Sequence, residues 1–297
     1  MKQQVSYELE QLDKIKRLAV VAMFSDDMFL EHLVLKGGNA LDLIHRLSTR
    51  ASIDLDFSMQ CDFPENIGAF RNRVENALAK TYQQSGYKVF DVKMTEKPQG
   101  ITADMADFWG GYGVEFKLIE TRKYDEFSGE IEEIRKRAIK IGQSGKFLID
   151  ISRFEYIQGK QETYLDNYVI YVYSPEMIVC EKLRAICQQM PEYGKVIKRG
   201  RAGSARARDF VDIHVLVDGL KLNIVDVNNT NLLSEMFTAK RVPLYLLGQI
   251  EKYKDFHAVD FPSVVATVKT GVKLESFDFY FDFVLSLVDR LKPFWNK

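Results

Sequence analysis

The chain has 297 residues, of which 46% are hydrophobic and 28% are charged, a composition typical of a globular protein with a substantial core. The 41 basic residues nearly balance the 42 acidic residues, so net charge gives no evidence of a polyanionic partner, and such evidence must come from local clusters. No run approaches the roughly 20 apolar residues that span a bilayer, and the amino terminus lacks the apolar core of a signal peptide, so we expect a cytoplasmic protein without a membrane partner.

Several kinds of site have no signature in the sequence. Cys61, Cys180 and Cys187 form no CxxC pair and have no histidine at ligand spacing, which argues against a disulfide framework or a structural zinc site. The four histidines are scattered, and neither a P-loop nor a GxSxG motif occurs.

The first half of the chain alternates helices and strands. Apolar residues at intervals of three and four predict a helix over residues 6–24. The following elements are a short strand ending in a Gly-Gly turn (33–38), a short helix (40–47), a strand (52–58) and a helix (64–84). Further strands are predicted at 87–94, 113–120, 146–152 and 167–173, with a charged helix over 128–139.

The pattern changes at Ser174, where Ser-Pro supplies a helix cap and a first-turn residue. This helix runs to about Met190, and nearly everything after it is predicted to be helical, although the aromatic-rich end also allows a strand. We therefore expect an α/β (α+β) protein with a mixed sheet flanked by helices over residues 1–173 and a mainly helical domain over residues 174–297.

Two aspartates stand out in the predicted strand 52–58. Asp54 and Asp56 are two residues apart, so both side chains project from the same face of a strand. Two such close carboxylates repel each other unless a cation compensates, and Mg²⁺ prefers carboxylate and phosphate oxygens. The alternative is a strand whose polar face simply meets water.

The Gly37-Gly38 turn precedes this DxD motif. It ends a strand and opens a helix, so free backbone N–H groups there, with Asn39 near the cap, can meet a phosphate. An antiparallel return strand would bring the turn and the DxD to the same sheet edge. A plain turn is the alternative.

Metal-dependent chemistry asks for a third acid, as a ligand or as a base toward an attacking hydroxyl. Asp150 is a candidate on an otherwise apolar strand, and the alternative is an acid that caps a strand end.

A basic run covers residues 195–208 without any acid and contains three residues suited to a mobile loop, Gly200, Gly203 and Ser204. Such a run can bind a triphosphate or an RNA backbone, or it can be a solvated loop.

The motifs KGGNAL (36–41) and RASIDLDFS (50–58) together resemble the nucleotidyltransferase AbiEii/AbiGii toxin family, within the polymerase-β-like nucleotidyltransferase superfamily. Two later motifs of that family, EKLRA (181–185) and RDxxD (208–212), follow in the same order. The resemblance covers about residues 33 to 217.

The resemblance implies a nucleotidyltransferase-type fold and a set of site residues. Lys36, Gly37, Gly38 and Asn39 would bind the nucleotide phosphates, and Ser52 would join Asp54 and Asp56 in the metal motif. Lys182 and Arg208 would contact nucleotide, and Asp209 or Asp212 would complete the catalytic site. Asn39 replaces a frequent Thr and Ile53 a frequent acid, and neither change removes a metal ligand. Whether Asp150 or the RDxxD acids supply the third carboxylate stays open.

The residues alone favour a solvated helix position for Lys182 and allow an ordinary i,i+4 ion pair between Arg208 and Asp212, so only the resemblance assigns these residues to the site.

The function that the resemblance implies is transfer of NMP from an NTP to an acceptor hydroxyl, with Mg²⁺ or Mn²⁺. The protein would be the toxin of a bacterial toxin–antitoxin or phage-defence system and would have a cognate antitoxin. The acceptor would be RNA, with a tRNA 3′ end as the leading candidate. A nucleotide- or RNA-binding protein without catalysis, and transfer to a small molecule or protein, stay open.

Overall fold

The computed structural model describes residues 2–47, 54–140, 144–269 and 271–295. Seven strands form one sheet: β1 Val34–Lys36, β2 Leu55–Ser58, β3 Tyr87–Lys97, β4 Gly111–Glu120, β5 Phe147–Ser152, β6 Gln161–Leu165 and β7 Tyr168–Val172. The helices before and between the strands are α1 Lys2–Phe24, α2 Asp27–His32, α3 Gly37–Asn39 with a π-helical continuation over Ala40–Ile44, α4 Ile67–Gln84, α5 Thr121–Glu126 and α6 Ile131–Lys136.

Every element after the sheet is helical among the described residues. These elements are α7 Pro175–Cys187, α8 Pro191–Val196, α9 Ala207–Gly219, α10 Val227–Thr238, a 3₁₀ segment Leu244–Tyr253, α11 Lys254–Ala258, α12 Phe261–Ala266 and α13 Phe277–Trp295. The aromatic-rich end is therefore a helix, because its buried side chains recur every three or four residues from Phe277 to Leu291. In the part of the chain that the structure describes, no helix is long and apolar enough to cross a membrane.

The strand order in the sheet is β3-β4-β5-β2-β1-β7-β6. β1 pairs antiparallel with β2, as predicted, whereas β2 with β5 and β1 with β7 are parallel pairs. Both motif-bearing strands are thus central in the sheet rather than at its edge, and parallel pairing places the carboxyl-terminal part of β5 beside β2.

The predicted α/β class is confirmed, with a mixed sheet followed by helices. Three elements escaped prediction. β6 is an exposed strand of mostly polar residues, α2 has only six residues and is capped by Asp26, and the six-residue α5 follows β4 directly. The predicted boundary near residue 173 coincides with the change from strands to helices. One buried hydrophobic cluster continues across it from Ile15 to Leu291, and the division into two domains stays a prediction.

Candidate active site

Three charged side chains form a row across the middle of the sheet. Lys36 on β1 lies opposite Asp56 on β2, and Asp56 lies opposite Asp150 on β5. Residues in direct register on neighbouring strands project from the same face, and neighbouring strands are about 4.8 Å apart. The fold therefore brings Asp150 beside the DxD motif although 94 positions separate it from Asp56 (150 − 56).

Gly37 closes this row from the β1 side. It has a φ of +69°, and a Cβ on it would lie 2.7 Å from Asp56 Oδ2. Both the backbone conformation and the close approach of the carboxylate require glycine. Gly38 follows in the first turn of α3, so the Gly-Gly pair is itself the strand-to-helix turn.

Gly37→Ala is expected to lower catalytic activity by at least about tenfold, because the new methyl group would displace the Asp56 carboxylate. The left-handed conformation adds about 1–2 kcal/mol of destabilisation. Gly86→Ala is the matched control, since Gly86 also has a positive φ of +81° but nothing lies within 4 Å of the position that a Cβ would occupy. Urea unfolding should show a loss of stability in both variants, and activity assays should show a loss of activity only in Gly37→Ala. Full activity in Gly37→Ala would contradict the close packing of Gly37 against Asp56.

The two aspartates of the DxD motif lie in a site that is short of positive charge. Burial raises the pKa of Asp56 to about 6, and the neighbouring Glu181 and Asp150 add to this rise while Lys36 opposes it. The pKa of Asp54 is also raised, by burial and then by Asp150. The electrostatics thus suit an added cation.

The donor set also suits a hard divalent cation. Among the described residues, no group of three or more His, Cys, Asp or Glu side chains is arranged to hold a metal ion. Asp54 and Asp56 supply two carboxylates, and Mg²⁺ commonly binds through one or two carboxylates, with substrate phosphates and water completing its shell.

Lys36 is buried and held by a network that reaches into the helical half. Its Nζ lies 3.0 Å from Glu181 Oε1, 3.1 Å from Ser152 Oγ and 3.5 Å from Glu155 Oε1. Burial opposes the charge, but Glu181 and Glu155 overcome it and raise the pKa of Lys36. Lys36 is therefore a fixed cation beside Asp56.

Glu155 is the centre of this network. It is 4% exposed, and Arg184 on α7 lies 2.8 Å from it, while Lys240 beyond α10 lies 3.6 Å away. Lys240 also donates to the backbone oxygens of Phe108 and Arg153. The Glu155 carboxylate thus joins the sheet to two helical segments.

The later family motifs meet each other on packed helices. Lys182 Nζ on α7 lies 3.0 Å from Asp209 Oδ1 and 2.7 Å from Asp212 Oδ2 on α9, and all three side chains are buried. Arg206 also bonds Asp209, and Arg206 and Lys182 lower the pKa of Asp209 against the effect of burial. The open alternatives of a solvated Lys182 and an Arg208–Asp212 surface pair are thus replaced by a buried ion cluster.

Two other predicted residues contribute differently. Asn39 is fully buried and donates to the backbone oxygen of Asp54, so it orders the start of β2. Arg208 is exposed, and its charge lowers the pKa of both Asp54 and Asp56 against the larger effect of burial. Ser52 lies outside the described residues.

A basic pocket of about 760 Å³ adjoins the row formed by Lys36, Asp56 and Asp150, and Lys36 lines it. Its acidic lining residues include Glu155 and Glu181, both already bonded to Lys36. Eight basic side chains of the described residues line it: Lys36, Lys97, Arg184, Lys198, Arg199, Arg201, Arg206 and Lys240. Four of them come from the predicted basic run, so that run faces a cavity of a size and charge suited to a phosphorylated ligand.

Sequence reasoning missed the supporting residues of the site. Arg184 belongs to the EKLRA motif and could have been noticed there. Glu155, Lys240 and Lys97 belong to no short motif, because their partners are far along the chain.

The Gly-Gly turn and the DxD motif thus lie next to each other and near a cation-lined pocket. The family model described as nucleotidyl transferase AbiEii toxin, type IV TA system, matches residues 19–282. The chain belongs to this AbiEii family of nucleotidyltransferase toxins and is therefore a nucleotidyltransferase, which confirms the resemblance.

Two solved structures can be aligned with most of this chain. A putative nucleotidyltransferase from H. pylori is 18% identical, with 95% of this chain and 96% of that chain covered and a TM-score of 0.48. MenT4, a nucleotidyltransferase toxin from Mycobacterium tuberculosis H37Rv, is 12% identical, with 98% and 89% covered and a TM-score of 0.47. A comparison with curated proteins found no match.

Proposed function

We propose that this enzyme transfers NMP from an NTP to an acceptor hydroxyl and releases pyrophosphate, at a site built on Asp54 and Asp56. The observation that carries the proposal is the row of Lys36, Asp56 and Asp150 beside Gly37 and next to the basic pocket. An acidic centre beside a phosphate-sized basic cavity suits a substrate that carries both a bound cation and a polyphosphate.

Asp54 and Asp56 would hold Mg²⁺ or Mn²⁺, and Asp150 would complete the ligands or accept the proton of the acceptor hydroxyl. When bound, the divalent cation neutralises charge on the phosphates and on the leaving pyrophosphate. Gly37 lets the Asp56 carboxylate lie directly against the turn backbone, and Lys36 balances the charge of Asp56 from the β1 side.

The cations of the pocket would bind the triphosphate and orient it for in-line attack. Catalysis then comes mainly from positioning and charge neutralisation. The start of α9 would be held in place by the ion pairs of Lys182 with Asp209 and Asp212. This position lets Arg206 line the pocket and lets the charge of Arg208 lower the pKa of Asp54. A nucleotide phosphate can contact Lys182 directly only by competing with Asp209 and Asp212 for its ammonium group.

The acceptor that we propose is RNA, with a tRNA 3′ end as the specific candidate. The support is the basic lining of the pocket, since phosphate contacts dominate RNA affinity, together with membership of a toxin family. We further propose that the protein acts in the cytoplasm in phage defence and pairs with a cognate antitoxin, as the toxin–antitoxin description of the family suggests.

The test is to incubate purified protein and Mg²⁺ with each α-labelled NTP in turn, with total tRNA as acceptor. We expect label on tRNA from a preferred nucleotide and no label when Mg²⁺ is removed with EDTA. Label on a protein or small molecule would replace the RNA acceptor by that class. NTP binding without label on any acceptor would contradict catalysis and favour a binding protein.

A further inference from the structure

Lys97 is the last residue of β3. It approaches the row of Lys36, Asp56 and Asp150 from the Asp150 end. Its Nζ lies 2.5 Å from Asp150 Oδ1. The side chains of Lys97 and Asp150 are 54% and 41% exposed, so solvent and dissolved ions reach this pair. Neither residue is locked in place as Lys36 and Glu155 are.

Gly113 makes the contact possible. It lies opposite Asp150 in the register of β4 and β5, where a side chain would stand next to that carboxylate. A Cβ on Gly113 would lie 2.6 Å from Lys97 Nζ and would also meet the Cε atom. The ammonium group of Lys97 therefore occupies the space that any other residue at position 113 would fill.

The Lys97–Asp150 ion pair reduces the negative charge that the site offers to a divalent cation. Asp54 and Asp56 provide two carboxylates, and Asp150 is the next acid in the row, but its charge is already balanced by Lys97. A cation that binds Asp150 must displace the ammonium group from Oδ1 or share the carboxylate with it.

We propose that Lys97 is the resident counter-ion of Asp150 and competes with the divalent cation for this carboxylate, which weakens cation binding. The inference rests on the proposed cation site at Asp54 and Asp56. Lys97 is thus a positioning residue that acts through Asp150.

The test measures Mn²⁺ binding to metal-free protein, without nucleotide, by isothermal titration calorimetry and electron paramagnetic resonance. Lys97→Met should tighten Mn²⁺ binding about tenfold, a typical size for a residue that acts on a metal ligand. The same substitution in an Asp150→Asn background should change the Kd less than about threefold, because no carboxylate is left to release. Equal tightening in both backgrounds would overturn the proposal, since Lys97 would then act only through its charge at a distance.

Two further variants separate the contact from the charge. Gly113→Ala keeps the lysine but pushes it away from Asp150, and it should also tighten Mn²⁺ binding. Lys146→Met removes a similar half-exposed cation that pairs with Glu115 on the same sheet, and it should leave the Kd unchanged. An unchanged Kd in Gly113→Ala would contradict the competition.

A failure of the proposed cation site can be told apart from a failure of this inference. Unchanged Mn²⁺ binding in Asp56→Asn, or no binding by any variant, would refute the cation site itself. Loss of binding in Asp56→Asn together with an unchanged Kd in Lys97→Met would refute only the role of Lys97.

Discussion

Asp56→Asn is expected to lower nucleotidyl transfer by about a hundred- to a thousandfold or more, because it removes a charged group at the centre of the site. The same change should make the metal-free protein more stable at neutral pH. The carboxyl has a pKa of about 6 in the folded protein against an ordinary value of 3.8, so keeping it ionised costs folding free energy. The gain should be up to about 3 kcal/mol.

The pH dependence of this gain follows from the direction of the shift. Above about pH 6 the folded protein carries an ionised, unfavourably placed Asp56, and the variant has its full advantage. As the pH falls from about 6 toward 3.8, the folded protein binds a proton at Asp56 and the advantage disappears. Urea unfolding of the wild type and of Asp56→Asn in EDTA at pH 4, 6 and 8 measures this difference in stability.

Asp289→Asn, on the exposed surface of α13, is the matched control and should alter neither activity nor stability. A folded Asp56→Asn enzyme with unchanged transfer would remove Asp56 from the mechanism. An Asp56→Asn protein less stable than the wild type at pH 8 would show that Asp56 supports the fold.

Glu155→Gln is expected to destabilise the protein by about 3–5 kcal/mol, because the buried cations Arg184, Lys36 and Lys240 lose the carboxylate between them. Although burial favours the neutral form, Arg184, Lys240 and Lys36 hold the pKa of Glu155 well below its ordinary value. Its contribution is therefore present above the unfolded pKa and is lost as the pH falls through the folded pKa. The midpoint of guanidinium unfolding, compared at pH 7 and in acid, measures the effect.

Glu96→Gln applies the same change to an exposed residue of β3 and should shift the unfolding midpoint very little. A Glu155→Gln protein as stable as the control would mean that the three cations reorganise without this carboxylate. A further loss of activity is expected in Glu155→Gln, because Lys36 would lose one of its two acidic partners beside Asp56.

Local pattern was enough to locate the central elements of the fold. Strand β2 was predicted because Leu55 and Phe57 alternate with Asp54 and Asp56, and α7 because Ser174 and Pro175 form a helix start. Periodicity and capping depend on residues within a few positions of each other, so a single sequence carries them. The polar strand β6 was missed because its exposed residues lack that alternation.

Residues close together in the chain define the Gly-Gly turn, the DxD motif and the change from strands to helices near residue 173, and four ordered motifs define the family. Which distant charges meet depends on how the whole chain folds. Parallel pairing of β2 with β5 brings Asp150 to Asp56, the gap at Gly113 admits Lys97, and helix packing sets Lys182 against Asp209. Strand order and helix packing follow from burying apolar surface across the whole chain, so ion pairs between residues far apart in sequence leave no local pattern.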